Sequence, residues 1–150
     1  MNENIRIKPI IILLVEDNPG DVRLTREALK EGKVLNSLYV AKDGVEALEF
    51  LRNEGRFSHM PRPDIILLDL NLPKKDGREV LHDIKSDPLL LSIPVVILTT
   101  SKDEEDIIQS YDLHANCFIA KPVNLDQFIK VVLSMEEFWF SIVRLPPQDR

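Results

Sequence analysis

PDIILLDLNLPKKDG, residues 63–77, decides the fold of this 150-residue chain. Ile65, Ile66, Leu67 and Leu68 run apolar without the alternation of a half-exposed strand, so they read as a strand buried on both faces. The run closes on Asp69, and Leu70, Asn71, Leu72 and Pro73 end the strand soon afterwards. A carboxylate therefore stands at the C-terminal end of a buried strand, and in open parallel sheets that rim is where ligands bind.

The same pattern recurs on either side. Ile10 to Val15 is another continuous apolar run, rich in β-branched residues and ended by Glu16 and Asp17. Asn18, Pro19 and Gly20 turn the chain into a helix over 21–31, with Val22, Leu24, Ala28 and Leu29 as its apolar stripe and Gly32 as its stop. A short strand at 38–41 precedes Asp43-Gly44 and a helix in which Ala47, Leu48 and Leu51 face the sheet. Residues 53–62, NEGRFSHMPR, read as a solvated connector of unusual length. Val80, Leu81 and Ile84 are the buried set of a helix over 78–86, which Asp87-Pro88 ends. Residues 94–98 form another buried strand, closed by Thr99, Thr100 and Ser101. A helix carrying Ile107, Ile108 and Leu113 leads to a short strand at 117–120, which meets Lys121-Pro122. Asn124 and Gln127 suggest a capping box for a long last helix, with Phe128, Val131, Val132 and Met135 at helical spacing.

Strand and helix alternate five times, which predicts an α/β fold. The expected architecture is a flavodoxin-like (βα)5 doubly wound parallel sheet, strand order 2-1-3-4-5, with an extended C-terminal helix. Residues 1–9 are expected to be a lead-in, 10–135 one domain, and 136–150 a C-terminal extension with no separate output domain. In that extension Phe138, Trp139, Phe140, Ile142 and Val143 form an apolar cluster, more than one helix end hides, so a homodimer contact is expected there.

Composition narrows the function. A net charge of −6 argues against direct nucleic-acid binding, which needs a basic face. The single Cys117 has no intramolecular disulfide partner and reads as a small buried hydrophobe, which fits a reducing, cytoplasmic setting. The N-terminal apolar run is six residues long and meets acids at once, so no membrane span or signal peptide is expected.

Four strand ends deliver Glu16 and Asp17, Asp69, Thr99, and Lys121 to one rim. Clustered carboxylates repel, so they are costly unless a cation resides among them. A hard, oxygen-seeking divalent ion, Mg²⁺, is the economical occupant, and with Lys121 it makes the site neutral and ready for a phosphoryl group. No GxxxxGK[ST] loop, GxGxxG turn or GxSxG elbow occurs, and His59, His82 and His114 lie in a loop and on helices. What remains is an aspartate that accepts phosphate, and Asp69 is best placed for it.

With LLVEDNPGD, DIILLDLNLPKKDG, VVILTTS and FIAKPV in order at strand ends, the chain resembles the receiver domain of two-component response regulators. Any one of these motifs is weak; the ordered set is specific. The resemblance implies Asp69 as phosphoacceptor, Glu16 and Asp17 as the acidic pair serving Mg²⁺, and Asn71 as donor of a backbone carbonyl to the metal. It implies Thr99 as the switch hydroxyl, Lys121 as the phosphoryl contact, Phe118 as the switch aromatic, and a cis peptide at Pro122. Thr100 departs from the smaller alanine often found there, which narrows access to Asp69, and Phe118 lacks the tyrosine hydroxyl. More closely, RNEGRFSHMPRPD, LNLPKKDGREVL and the FW…V.LP tail resemble the small single-domain regulators associated with phytochromes.

The expected partners are a sensor histidine kinase and a downstream protein or phosphotransfer protein. Phosphate on Asp69 would then signal by changing the surface around the fourth helix, fifth strand and fifth helix. Two other classes compete. An aspartate-based phosphatase needs a second acid two residues after its nucleophile, and Asn71 occupies that position. A phosphate-independent scaffold has no use for Asp17, Asp69, Thr99 and Lys121 together. The chain is accordingly expected not to be an enzyme, although its own phosphorylation and dephosphorylation are chemistry it performs.

Overall fold

The computed structural model describes residues 9–30, 35–99 and 117–133. Its five strands, β1 (Ile10–Val15), β2 (Asn36–Ala41), β3 (Ile65–Asp69), β4 (Val95–Thr99) and β5 (Cys117–Ala120), form one sheet. The order is β2-β1-β3-β4-β5 and every pairing is parallel. The apolar runs owe their continuity to position: β3 and β4 are buried at every residue, while β2, at an edge, is half-buried along most of its length.

Because successive side chains point to opposite faces, each central strand feeds two cores. Leu13, Val15, Ile66, Leu68 and Ile97 pack with Ala47, Leu48 and Leu51 of α2 (Gly44–Leu51) and with Val80, Leu81 and Ile84 of α3 (Gly77–Ser86). Ile12, Leu14, Ile65, Leu67 and Leu98 pack on the other face with Leu29 of α1 (Pro19–Lys30) and Phe128 of the helix Leu125–Leu133. This two-faced covering is the doubly wound arrangement, and it directs the C-terminal ends of all five strands to one rim.

The buried face of α1 differs from the expected stripe. Thr25 and Leu29 are buried with Val22 packed beside them, whereas Leu24 is 50% exposed. At 100° per residue, positions 22, 25 and 29 share a face and position 24 lies nearly opposite position 22. Helix starts follow local chemistry. The Asp43 side chain accepts the Glu46 N–H at 2.7 Å, and Asp76 and Glu79 make a reciprocal capping box for α3. Asn124 accepts the Gln127 N–H at 2.8 Å.

Residues 53–62 are a folded connector with more internal structure than a solvated loop. The Asn53 side-chain amide reaches the carbonyls of Phe50, Phe57 and Met60, at 3.5, 3.1 and 2.9 Å. Phe57, on a 3₁₀ turn (Gly55–Phe57), is buried against Phe50, which in turn meets Tyr39; both ring pairs are 5.6 Å apart. Asn53 has φ 54°, a left-handed value that asparagine tolerates better than most residues.

Thr100, Ser101, the expected helix with Ile107, Ile108 and Leu113, His114, Met135 and the cluster Phe138, Trp139, Phe140, Ile142 and Val143 lie outside the described residues, as does the Cys117 side chain. Among the described residues no helix is long and apolar enough to cross a membrane.

Candidate functional site

Strand register brings the polar residues together. Val15 pairs with Leu68, so Glu16 follows one strand where Asp69 ends its neighbour. Asp69 pairs with Leu98, and Thr99 with Ala120, which sets Thr99 and Lys121 at successive strand ends. The Lys121 N–H donates to the Thr99 carbonyl at 2.8 Å and ties those ends together.

Carboxylate oxygens of Glu16, Asp17 and Asp69 all lie within 4.8 Å of one another. Glu16 is 2% exposed and Asp69 4%, while Asp17 is open to solvent. The Lys121 ammonium stands among acids: 2.8 Å from Glu16 Oε1, 3.2 Å from Asp69 Oδ2 and 3.3 Å from Asp21 Oδ2. Asp21 is a site residue that motif reasoning passed over, although it sits within LLVEDNPGD. An acid in the first turn of the helix that follows an acid-ended strand is the signal that points to it.

Burial raises the pKa of Glu16, and the nearby Asp69 charge adds to this; contact with Lys121 and the Asn18 N–H act in the opposite sense. For Lys121, burial favours the neutral amine, but contact with Glu16 and the Asp69 and Glu16 charges outweigh it and hold its pKa above the ordinary range. The lysine is a permanent cation here. One positive charge does not saturate the acids around it.

The acceptor geometry agrees. Glu16 Oε2 accepts the Asn18 N–H at 3.2 Å, whereas Oε1 is buried and meets Lys121 at ion-pair distance without the alignment of a hydrogen bond. A buried carboxylate oxygen with unused acceptor capacity, beside two further acids, fits a hard divalent cation. All the donors are oxygen, which suits Mg²⁺ or Mn²⁺ and disfavours a thiolate-seeking metal.

The loop after β3 is built for close approach. A Cβ on Gly77 would lie 2.4 Å from the Asp69 carbonyl oxygen, so only glycine lets α3 start against the backbone of that residue. The Gly77 N–H donates to the Leu70 carbonyl at 2.9 Å. A Cβ on Gly44 would meet the Lys75 carbonyl oxygen at 2.3 Å, which seats the same loop on the start of α2. Asn71 follows within this loop, and its N–H donates to Asp69 Oδ1 at 3.3 Å, leaving Oδ2 toward Lys121. Thr99 is buried at the end of β4. Phe118 is half-buried and packs against the core beneath α2 and α3. The Lys121-Pro122 peptide is cis. His59 and His82 are exposed and stand apart from the acid cluster.

Comparison with known proteins agrees with this geometry. A family model described as response regulator receiver domain matches residues 12–133. The chain is 51% identical over 138 residues to response regulator Rcp1 of Synechocystis sp., covering 92% of this chain and 94% of that protein. It is similar to the crystal structure of the phosphorylated cyanobacterial phytochrome response regulator RcpA, with 55% identity, TM-score 0.73, and 90% and 96% of the two chains covered. The Mn²⁺-bound form of response regulator Rcp1 superposes with TM-score 0.70 at 52% identity, covering 87% and 94%. With five parallel strands in the order 2-1-3-4-5, an acidic rim around Asp69 and these relatives, the chain belongs to the response regulator receiver domain family.

Proposed function

We propose that this receiver accepts a phosphoryl group on Asp69 from a sensor histidine kinase and signals through the phosphorylated state. The observation that carries the proposal is the convergence of Glu16, Asp17 and Asp69 oxygens within 4.8 Å around a lysine that cannot neutralise them alone. A carboxylate oxygen of Asp69 attacks phosphorus, the bond from phosphorus to the donor's imidazole nitrogen breaks, and the leaving imidazole takes up a proton. Lys121 is close enough to follow an oxygen of Asp69 and to pair with the phosphoryl oxygens that replace its present contact.

Glu16, Asp17, Asp69 and the backbone carbonyl of Asn71 are the residues assigned to hold Mg²⁺, which when bound neutralises charge on the transferred group. That a relative with 52% identity is described in a Mn²⁺-bound form supports divalent-ion binding by this chain. Thr99 supplies the hydroxyl that responds to phosphate, and Phe118, packed at the sheet edge, is the side chain that transmits the response. Phosphate is then the signal and not a product released in turnover, so the protein is a switch and not an enzyme. A phytochrome-type kinase is the proposed donor, because RcpA is described as a phytochrome response regulator.

The test is intact-mass analysis after incubation with acetyl phosphate, with and without Mg²⁺. One Mg²⁺-dependent phosphoryl adduct is expected in the wild type and none in Asp69→Asn. No wild-type adduct, under conditions that phosphorylate a control receiver, rejects the proposal in favour of a phosphate-independent scaffold.

A further inference from the structure

Lys121 faces three carboxylates, yet the proposed reaction employs only two of them. Glu16 and Asp69 belong to the oxygen cluster completed by Asp17, and Asp21 stands outside it. An ammonium donates and accepts nothing, and this one stands at ion-pair distance from all three acids, 2.8 to 3.3 Å. During phosphorylation two of the three change their allegiance. Asp69 becomes an acyl phosphate and loses its carboxylate charge, while Glu16 is shared with the divalent ion. Asp21 alone stays an uncommitted carboxylate.

Its placement suits an anchor. Asp21 lies in the first turn of α1, and its N–H is held by the Asn18 side chain at 3.0 Å, so the acid is carried on a fixed turn. Its Oδ2 accepts from Lys121 Nζ at 3.3 Å. Asp21 and Lys121 line one groove with Leu98 and Val123, between α1 and the chain that leaves β5. A lysine side chain has many rotamers, and a fixed acid at its tip restricts them.

We propose that Asp21 is a positioning residue for the phosphoryl transfer, keeping the Lys121 ammonium at the rim while Glu16 and Asp69 are otherwise engaged. The inference rests on the phosphoacceptor role of Asp69. Asp21 also adds negative charge near an anionic donor, which works against binding. Because the Asp21 side chain is about a third exposed, at 36%, solvent screens that repulsion, and the loss of orientation dominates when the charge is removed.

The experiment measures the rate of phosphorylation by acetyl phosphate at saturating Mg²⁺, together with the Mg²⁺ dissociation constant and the melting temperature, for wild type, Asp21→Asn and Asp21→Glu. Asp21→Asn is expected to slow phosphorylation about fivefold, the scale of one partly exposed ion pair. Its Mg²⁺ affinity should stay within about twofold of wild type, and Asp21→Glu should recover most of the rate. A rate for Asp21→Asn equal to wild type overturns the inference. So does a Mg²⁺ affinity that weakens in step with the rate, or an Asp21→Glu variant no better than Asp21→Asn. If the wild type itself takes up no phosphate, the role of Asp69 fails first and this inference falls with it.

Discussion

Two loop regions at opposite ends of the sheet use polar side chains in opposite ways. In the connector 53–62, at the end where strands begin, one amide group of Asn53 is spread over the carbonyls of Phe50, Phe57 and Met60 while aromatic rings close beneath it. Polarity there is consumed inside the chain and gives the loop its shape. At the end where strands finish, Glu16 and Asp69 are buried with more negative charge than Lys121 can balance, and Glu16 Oε1 makes no hydrogen bond. Polar groups whose partners are supplied internally build structure; buried groups held in surplus are capacity for a ligand.

The sharpest way to break this contrast is to disturb the backbone beneath the acids. Gly77→Ala places a Cβ 2.4 Å from the Asp69 carbonyl oxygen, and backbone cannot step aside as a flexible side chain does. A loss of about 3 kcal/mol or more is expected in urea denaturation, together with weakened divalent binding. Next, Asn53→Ala removes the amide that serves three carbonyls and leaves a less tolerant residue at φ 54°. It should cost about 2 kcal/mol by the same assay while the Mg²⁺ affinity is unchanged, since the connector lies away from the rim.

Glu16→Gln should behave in the reverse sense. Burial, the main cause of the raised pKa of Glu16, makes the folded, metal-free protein hold that proton more tightly than the unfolded chain does. Sign follows from linkage: between the ordinary value of 4.5 and the raised folded value the native state binds more protons than the unfolded state. Metal-free stability from this group therefore falls as pH rises through that window and the deficit persists above it. Glu16→Gln should abolish that slope, leave metal-free stability within about 1 kcal/mol of wild type or above it, and weaken divalent binding about tenfold. Thermal melts across pH, with and without Mg²⁺, check all three outcomes. The smallest effect is expected at Arg23 and Glu27, whose 3.1 Å pair is largely exposed on α1. Glu27→Gln should shift stability by less than about 0.5 kcal/mol and leave Mg²⁺ affinity unaltered.

The legible parts of the sequence were those where one physical cause acts alone. Burial on both faces makes β1, β3 and β4 continuous apolar runs, and their acid or hydroxyl ends mark the rim without ambiguity. Alternating strands and helices then fix a parallel order. Where two causes compete, residue types mislead. Leu24 is apolar but lies on the groove by Lys121, while Thr25 is buried, so hydrophobicity ranks them in the wrong order and only helical phase separates them. The connector looks solvated because Asn53, Ser58 and His59 are polar; its shape depends on contacts from Asn53 and Phe57 that composition does not disclose. Asp21 is ordinary as a first-turn acid, and its relation to Lys121 spans 100 residues of sequence. The capping box of Asp76 and Glu79 has its signal in Asp-Gly-Arg-Glu, but a helix start read at 78 from the apolar positions does not single the box out.

The most direct measurement is a peptide map of the phosphorylated protein after borohydride reduction, which converts an aspartyl phosphate to homoserine and marks the acceptor. The surplus-charge rim predicts homoserine at Asp69 alone, formed only when Mg²⁺ is present and lost on adding a chelator before the donor. Homoserine at another acid, or at Asp69 regardless of divalent ion, would contradict it.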